Sequence, residues 1–137
     1  MAVKNTGGDV FVVHTVQVTA AANLADKSLI TAAGAAPANA ANGVFGVISK
    51  DTKSGDYATV KVPPSIVEVL ATGTVAVGNE VEVLQATVYA NIDGTSTATT
   101  SAGVTALASG YPIGRAYSAS DANGTVLVGL YGNQGKT

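Results

Sequence analysis

Few residues in this chain carry groups that could do chemistry, and their spacing decides what that chemistry would be. His14 is the sole histidine, and as a general base it would need a carboxylate partner that no nearby residue supplies. A histidine filling a mostly valine strand face is the favoured reading. Glu80 and Glu82 stand two apart, so a strand would point both carboxylates to one face, as a hard cation requires. Calcium takes roughly 6 to 8 oxygens, however, and Val81 and Val83 claim the opposite face, so a solvated Glu80/Glu82 face is expected. Lys50, Asp51, Lys53 and Asp56 cluster in one short stretch, where mixed charge is ordinary turn chemistry or the rim of a protein contact.

The run Gly-Asn-Gln-Gly-Lys-Thr at 132–137 imitates the end of a phosphate-binding loop, but Leu130 stands where the first glycine is needed. Asn123-Gly124-Thr125 is a glycosylation triplet that reads more simply as a turn entering a strand. Arg115, the only arginine, either anchors a carboxylate at an interface or lays its stem over a barrel rim. No cysteine is present, which removes thiolate ligands and disulfides. The residues therefore predict no catalytic, cofactor-binding or metal-binding set, and a chain that is not an enzyme.

The elements that must position these groups are strands. Val10 to Val18 alternates cleanly, with Val10, Val12, His14, Val16 and Val18 on one face. The Ala-, Asn- and Gly-rich stretch 20–42 predicts a loop with one short strand near Lys27 to Thr31. Pro63-Pro64 breaks a ladder because proline has no N–H to donate. Ser65 to Leu70, Thr74 to Val77, Glu80 to Leu84 and Ala86 to Ile92 read as further short strands, with Asp93-Gly94 as a hairpin turn. The polar run Thr95 to Thr100 is expected at an edge or in an exposed loop, and Val104 to Ala108 fits a strand or a helical turn equally. The expected fold is all-β: a small single-domain β-barrel or β-sandwich of short antiparallel strands at 9–131, with a mobile N-terminal arm at 1–8 and a flexible tail at 132–137.

With 137 residues the chain can bury about two-thirds of its unfolded surface. Its interior is nevertheless thin, since 24 Ala and 20 Val dominate a 47% hydrophobic composition and small side chains bury little area each. Part of the stability is expected to come from self-association or from docking on a partner. Seven basic and nine acidic residues give a charge of −2, too weak a field to attract nucleic acid. No apolar run approaches the ~18 residues of a membrane span, and the N-terminus lacks the apolar region of an export signal. Neither nucleic acid nor membrane is expected as a partner.

The most informative segment is Gly43 to Val62, a strand, polar turn and strand echoed at Ile113 to Leu130. In both, a glycine follows an apolar residue (Phe45-Gly46, Ile113-Gly114), and a second glycine, Gly55 or Gly124, closes a Ser/Asp-rich turn ahead of an alternating strand. Val44 to Gly55, then Val75-Ala-Val-Gly-Asn-Glu-Val-Glu-Val83, then Ile113-Gly-Arg-Ala-Tyr117 and Gly124 to Leu130, together resemble the small capsid cement or decoration proteins of tailed bacteriophages. Ile48-Ser49 and Asn79 depart from that pattern, which more often has Ala and Asp there. The resemblance implies a β-barrel-like virion protein on the outer capsid surface that bridges neighbouring copies of the major capsid protein. It also implies a homo-oligomer, with a trimer favoured and a dimer possible. A carbohydrate- or receptor-binding β module is the alternative, its platform drawn from Tyr57, Tyr89, Tyr111, Tyr117 and Tyr131.

Overall fold

The computed structural model describes residues 14–39, 41–92 and 94–131. The arm at 1–8, the start of the first strand at 10–13, Asp93 of the Asp93-Gly94 turn, and the tail at 132–137 lie outside the described residues. Nine strands are described: β1 (His14–Thr19), β2 (Leu29–Ile30), β3 (Gly46–Ile48), β4 (Tyr57–Val62), β5 (Ile66–Ala71), β6 (Glu80–Ala90), β7 (Thr97–Ala106), β8 (Gly114–Ala116) and β9 (Gly124–Leu130). They hydrogen-bond in the order β1-β4-β3-β2-β7-β5-β9-β8-β6, and β6 pairs back onto β7. Strands β7, β5, β9, β8 and β6 thus close a five-stranded barrel, while β2, β3, β4 and β1 continue the sheet outward from β7. Of barrel and sandwich, the closed barrel is what forms.

The echo in the sequence is one part of a larger internal repeat. Residues 14–30 map onto 65–81 by a shift of 51 positions (Val16 to Val67), and 45–62 map onto 113–130 by a shift of 68 (Val60 to Val128). These shifts carry each pairing of the first unit onto the second. Val16↔Val60 becomes Val67↔Val128, Ile30↔Gly46 becomes Val81↔Gly114, and Ile48↔Val60 becomes Ala116↔Val128. Irregular contacts follow the same rule: the bridge Leu24↔Thr52 matches Val75↔Ser120, and the bond from Gly55 N–H to the Ala20 carbonyl matches that from Asn123 N–H to Ala71.

The repeat corrects the alignment of the two turns by one residue. The residue with left-handed backbone is Gly55 (φ 92°) in the first unit and Asn123 (φ 74°) in the second, so Asp56, not Gly55, is the counterpart of Gly124. Asparagine tolerates this conformation because its short side chain bonds locally. A second matched pair is Lys27 (φ 68°) and Gly78 (φ 87°), each donating its N–H to the carbonyl of the matched residue, Ile48 or Ala116. The half-exposed Asp26–Lys27 ion pair at 3.0 Å joins neighbours in sequence and contributes little. Lys27→Gly is therefore expected to leave stability unchanged or raise it by about 0.5 kcal/mol, whereas Gly78→Ala, which meets no neighbouring atom, costs about 1 kcal/mol through φ alone. Denaturant midpoints at constant slope check both.

Between the matched halves the units differ. The first connects β2 to β3 through residues 31–45, which begin with a tight turn closed by Thr31 N–H to the Ala35 carbonyl; the second inserts the long β6–β7 hairpin there. Even so, a Cβ at Gly34 would strike the Thr19 carbonyl and one at Gly103 the carbonyl of Leu70, the counterpart of Thr19, although Gly34 itself corresponds to Val104: Ala21 N–H donates to the Gly34 carbonyl as Thr72 N–H does to that of Val104.

The core follows this division. One cluster fills the barrel with Val67, Val69, Val81, Val104, Ile113, Val126 and Val128, joined by Leu29, Val44 and Val47 from the first unit. A smaller cluster, Leu24, Ile30, Ile48, Ala58 and Val60, fills the first unit, and its members match Val75, Val81, Ala116, Val126 and Val128 of the barrel. Ile48 and Ala58 stand where the barrel has Ala116 and Val126, so bulk lost on one strand is partly restored on its neighbour.

Several local expectations change. Glu80 to Leu84 and the expected strand from Ala86 merge into one continuous strand, β6, which ends at Ala90 short of Ile92, and Thr74 to Val77 contributes only the bridge at Val75. The Thr95–Thr100 region lies as expected: Thr95 and Ser96 are in an exposed loop, and Thr97 to Thr100 form the outer part of β7, whose ladder partners there, among the described residues, are β6 residues alone, β2 and β5 meeting β7 further on at Ala102 and Val104. Val104 to Ala106 is strand, not helix. Buried Thr99 and Ser101 satisfy their hydroxyls on the Val88 carbonyl, on each other at 3.3 Å and on Ala25 N–H.

Candidate functional site

The chemistry-bearing residues are held apart by this fold. His14 sits exposed at the start of β1, paired with Val62, and its side chain does not fill the core. Among the described residues no group of three or more His, Asp or Glu side chains converges as a metal site, and no helix is long and apolar enough to cross a membrane.

The two glutamates take different environments, against the expectation of one solvated face. Glu82 is 5% exposed, and its carboxylate accepts the Ser109 N–H at 2.9 and 3.2 Å and the Ser109 hydroxyl at 2.8 Å. Burial opposes its ionisation, but hydrogen bonds from Ser109 and from the backbone at Ala108 and Tyr111 outweigh that cost and hold its pKa below the usual carboxylate range. The segment after β7 folds over Glu82 while Val81 and Val83 face the barrel core, so all three are buried. Glu80 is half-exposed. It accepts the Tyr131 hydroxyl at 2.8 Å and lies 3.9 Å from Arg115, whose Nη1 donates to the Gly78 carbonyl at 2.8 Å. Burial, then the neighbouring Glu80 carboxylate, raises the Tyr131 pKa. Arg115 thus engages a carboxylate of its own chain at the barrel rim.

In the first hairpin turn Lys50, Asp51, Lys53 and Asp56 are exposed. Asp51 is structural, accepting Asp26 N–H at 2.7 Å, and buried Thr52 bridges to Leu24. Asn123, the acceptor position of the glycosylation triplet, is the left-handed turn residue already described.

What remains for function is surface. Val16, Tyr57, Ile66, Val77, Leu84, Tyr89, Tyr111, Tyr117 and Leu127 are exposed apolar or aromatic side chains spread over several faces. Tyr89 borders an open cleft of about 390 Å³ with Thr72, Thr87, Val88 and Asn123, at the foot of the β6–β7 hairpin. A groove of about 300 Å³ runs along the junction of the two units, between Lys27, Ser49 and Lys61 of the first and Ile66, Glu68 and Leu127 of the second. Sequence reasoning missed both features, because each joins residues from strands distant in the chain.

The fold defines an all-β protein built on a closed five-stranded barrel. Compared with known proteins, the sequence matches no protein-family model, and no curated protein is significantly similar to it.

Proposed function

We propose that this protein is a structural virion component that binds the outer surface of a bacteriophage capsid and cements neighbouring major capsid protein subunits, acting as a homo-oligomer. The observation that carries the reading is the position of the resembling motifs. Val44 to Gly55, Val75 to Val83, Ile113 to Tyr117 and Gly124 to Leu130 form the repeated framework itself, namely β3 and its turn, the entry to β6, β8 and β9. The resembling residues are therefore part of the strand framework of this chain and not of its connecting loops alone. Dispersed exposed apolar side chains also suit a protein that makes several modest contacts, since linked contacts to a repeating lattice reinforce one another through effective concentration.

The direct test is co-sedimentation of the purified chain with undecorated heads, followed by an imaging reconstruction. Added density over capsid-subunit junctions and heads that resist heat or dilution are the expected results. Failure to co-sediment with heads of the phage that encodes it overturns the proposal. The Tyr89 cleft, where one aromatic ring meets threonine hydroxyls and the Asn123 amide, favours carbohydrate binding as the second reading. Glycan binding lost in Tyr89→Ala, with no association with heads, would favour that reading instead.

A further inference from the structure

We propose that copies of this protein associate head to tail, the β1 edge of one chain docking on the Val77–Tyr117 face of the next, in the way the two units dock within one chain. The proposal does not rest on the capsid reading.

Inside the chain β5 of the second unit faces the Asp26–Lys27 turn, Ser49 and Lys61 of the first across the groove of about 300 Å³. Leu70 N–H donates to the Lys27 carbonyl across this junction at 3.0 Å. The repeat gives each unit a copy of both surfaces, and the chain uses only one of each. The unused face belongs to the second unit, where Val77, Gly78, Tyr117 and Gly129 are the counterparts of Asp26, Lys27, Ser49 and Lys61. Val77 is 66% and Tyr117 56% exposed, and the Tyr117 ring lies over Gly129, where a Cβ would be 2.8 Å from Cε2. The unused edge is β1, counterpart of β5.

Among the described residues β4 is the one strand that pairs with β1, and the other side of β1 shows the consequence. Val16 is 40% exposed while its counterpart Val67 is 2% exposed, and five of the six β1 residues are exposed. Ala20 N–H bonds the Asp56 carbonyl, so by alternation Thr15, Gln17 and Thr19 turn their backbone groups away from β4. Such an edge is normally protected by lysine, proline or a bulge; His14–Thr19 has none of these.

The two free surfaces also match chemically. The internal junction is charged, with Lys27, Lys61 and Glu68 around it, whereas the free pair sets neutral Thr15, Val16 and Gln17 against Val77 and Tyr117. The contact corresponding to Leu70 N–H on Lys27 runs from Thr19 N–H to the Gly78 carbonyl of the next chain. That carbonyl holds Arg115 Nη1 on one lone pair and has a second. Because the surfaces differ, the contact is heterologous.

This predicts a specific pattern of complementation. By sedimentation velocity the full-length wild type associates, while Val16→Lys and Val77→Lys are each monomeric, since each spoils one half of the contact. Mixed in equal amounts they form a 1:1 dimer, because one retains an intact β1 edge and the other an intact face. Both substitutions fall on exposed side chains; circular dichroism checks folding, and Gln17→Lys with Tyr117→Lys is the second pair. A wild type that stays monomeric at all concentrations overturns the proposal, as does a mixture that stays monomeric. Undiminished self-association of Val77→Lys also overturns it, because that would mark β1 edges pairing symmetrically with each other.

Discussion

Gly34→Ala should destabilise the protein by about 3 kcal/mol or more, a loss of roughly 10 °C in melting temperature for a chain of this size. Two costs coincide at this position. Its φ of +90° penalises any residue with a Cβ, and the added carbon would be driven into the Thr19 carbonyl and lie 3.1 Å from Ala21 N. The turn has little room to yield, because Ala21 N–H donates to the Gly34 carbonyl at 2.9 Å and Gly34 N–H to Thr31 at 3.0 Å. Gly103→Ala meets the corresponding Leu70 carbonyl without the positive φ, so it should be damaging but less so. Chemical denaturation of both variants tests the order. A Gly34→Ala midpoint close to wild type would mean that the turn is not held as the repeat requires.

Glu82→Ala should cost about 2 to 4 kcal/mol at neutral pH, since it leaves the Ser109 N–H and hydroxyl without their acceptor and opens space between β6 and the segment that covers it. The same carboxylate predicts a pH dependence. Its folded pKa lies below the unfolded value of about 4.3, so its contribution is fully present above that value and is lost as pH falls through the folded pKa. Glu82→Gln should therefore be less stable than wild type near pH 7 and lose less stability on acidification. Urea midpoints at pH 7 and below pH 4 measure the difference. Identical acid limbs in the two proteins would assign the acid sensitivity to other groups.

Glu82 also marks where reading the sequence stops. Alternation of Val81, Glu82 and Val83 correctly indicates a strand, because side chains of an extended backbone point to opposite faces every second residue. Which face meets water depends on what lies over it, and here residues 107–111 arrive from beyond β7 to cover the glutamate. Strand β7 was obscured for a related reason. Thr99 and Ser101 look like surface residues until cross-strand hydroxyl bonds satisfy them, and Gly103 looks like a break until the Leu70 carbonyl is seen to need its missing side chain.

The two hairpins were legible because their glycines and alternating valines are local signals. Gly46 and Gly114 sit at matched positions where a Cβ would meet the partner strand's backbone, at the Lys61 and Gly129 carbonyls respectively. The full repeat was not legible. Val16 and Val67, Val18 and Val69, and Ala20 and Ala71 are the same residues in matched places, but Lys27 faces Gly78, Leu29 faces Glu80 and Asn123 faces Gly55. Backbone hydrogen bonds conserve geometry while side chains drift, so the register matches where the letters do not.

By itself, then, the sequence determined the all-β class, the positions of most strands and the scarcity of reactive groups, because backbone periodicity, turn chemistry and composition are properties of short segments. Only the tertiary structure decided that five strands close a barrel, that a second four-stranded unit repeats its pattern, and that among the described residues one edge and one face find no counterpart contact. Those outcomes depend on pairings between distant strands, and whether a residue is covered or exposed is settled only when the last neighbour has arrived.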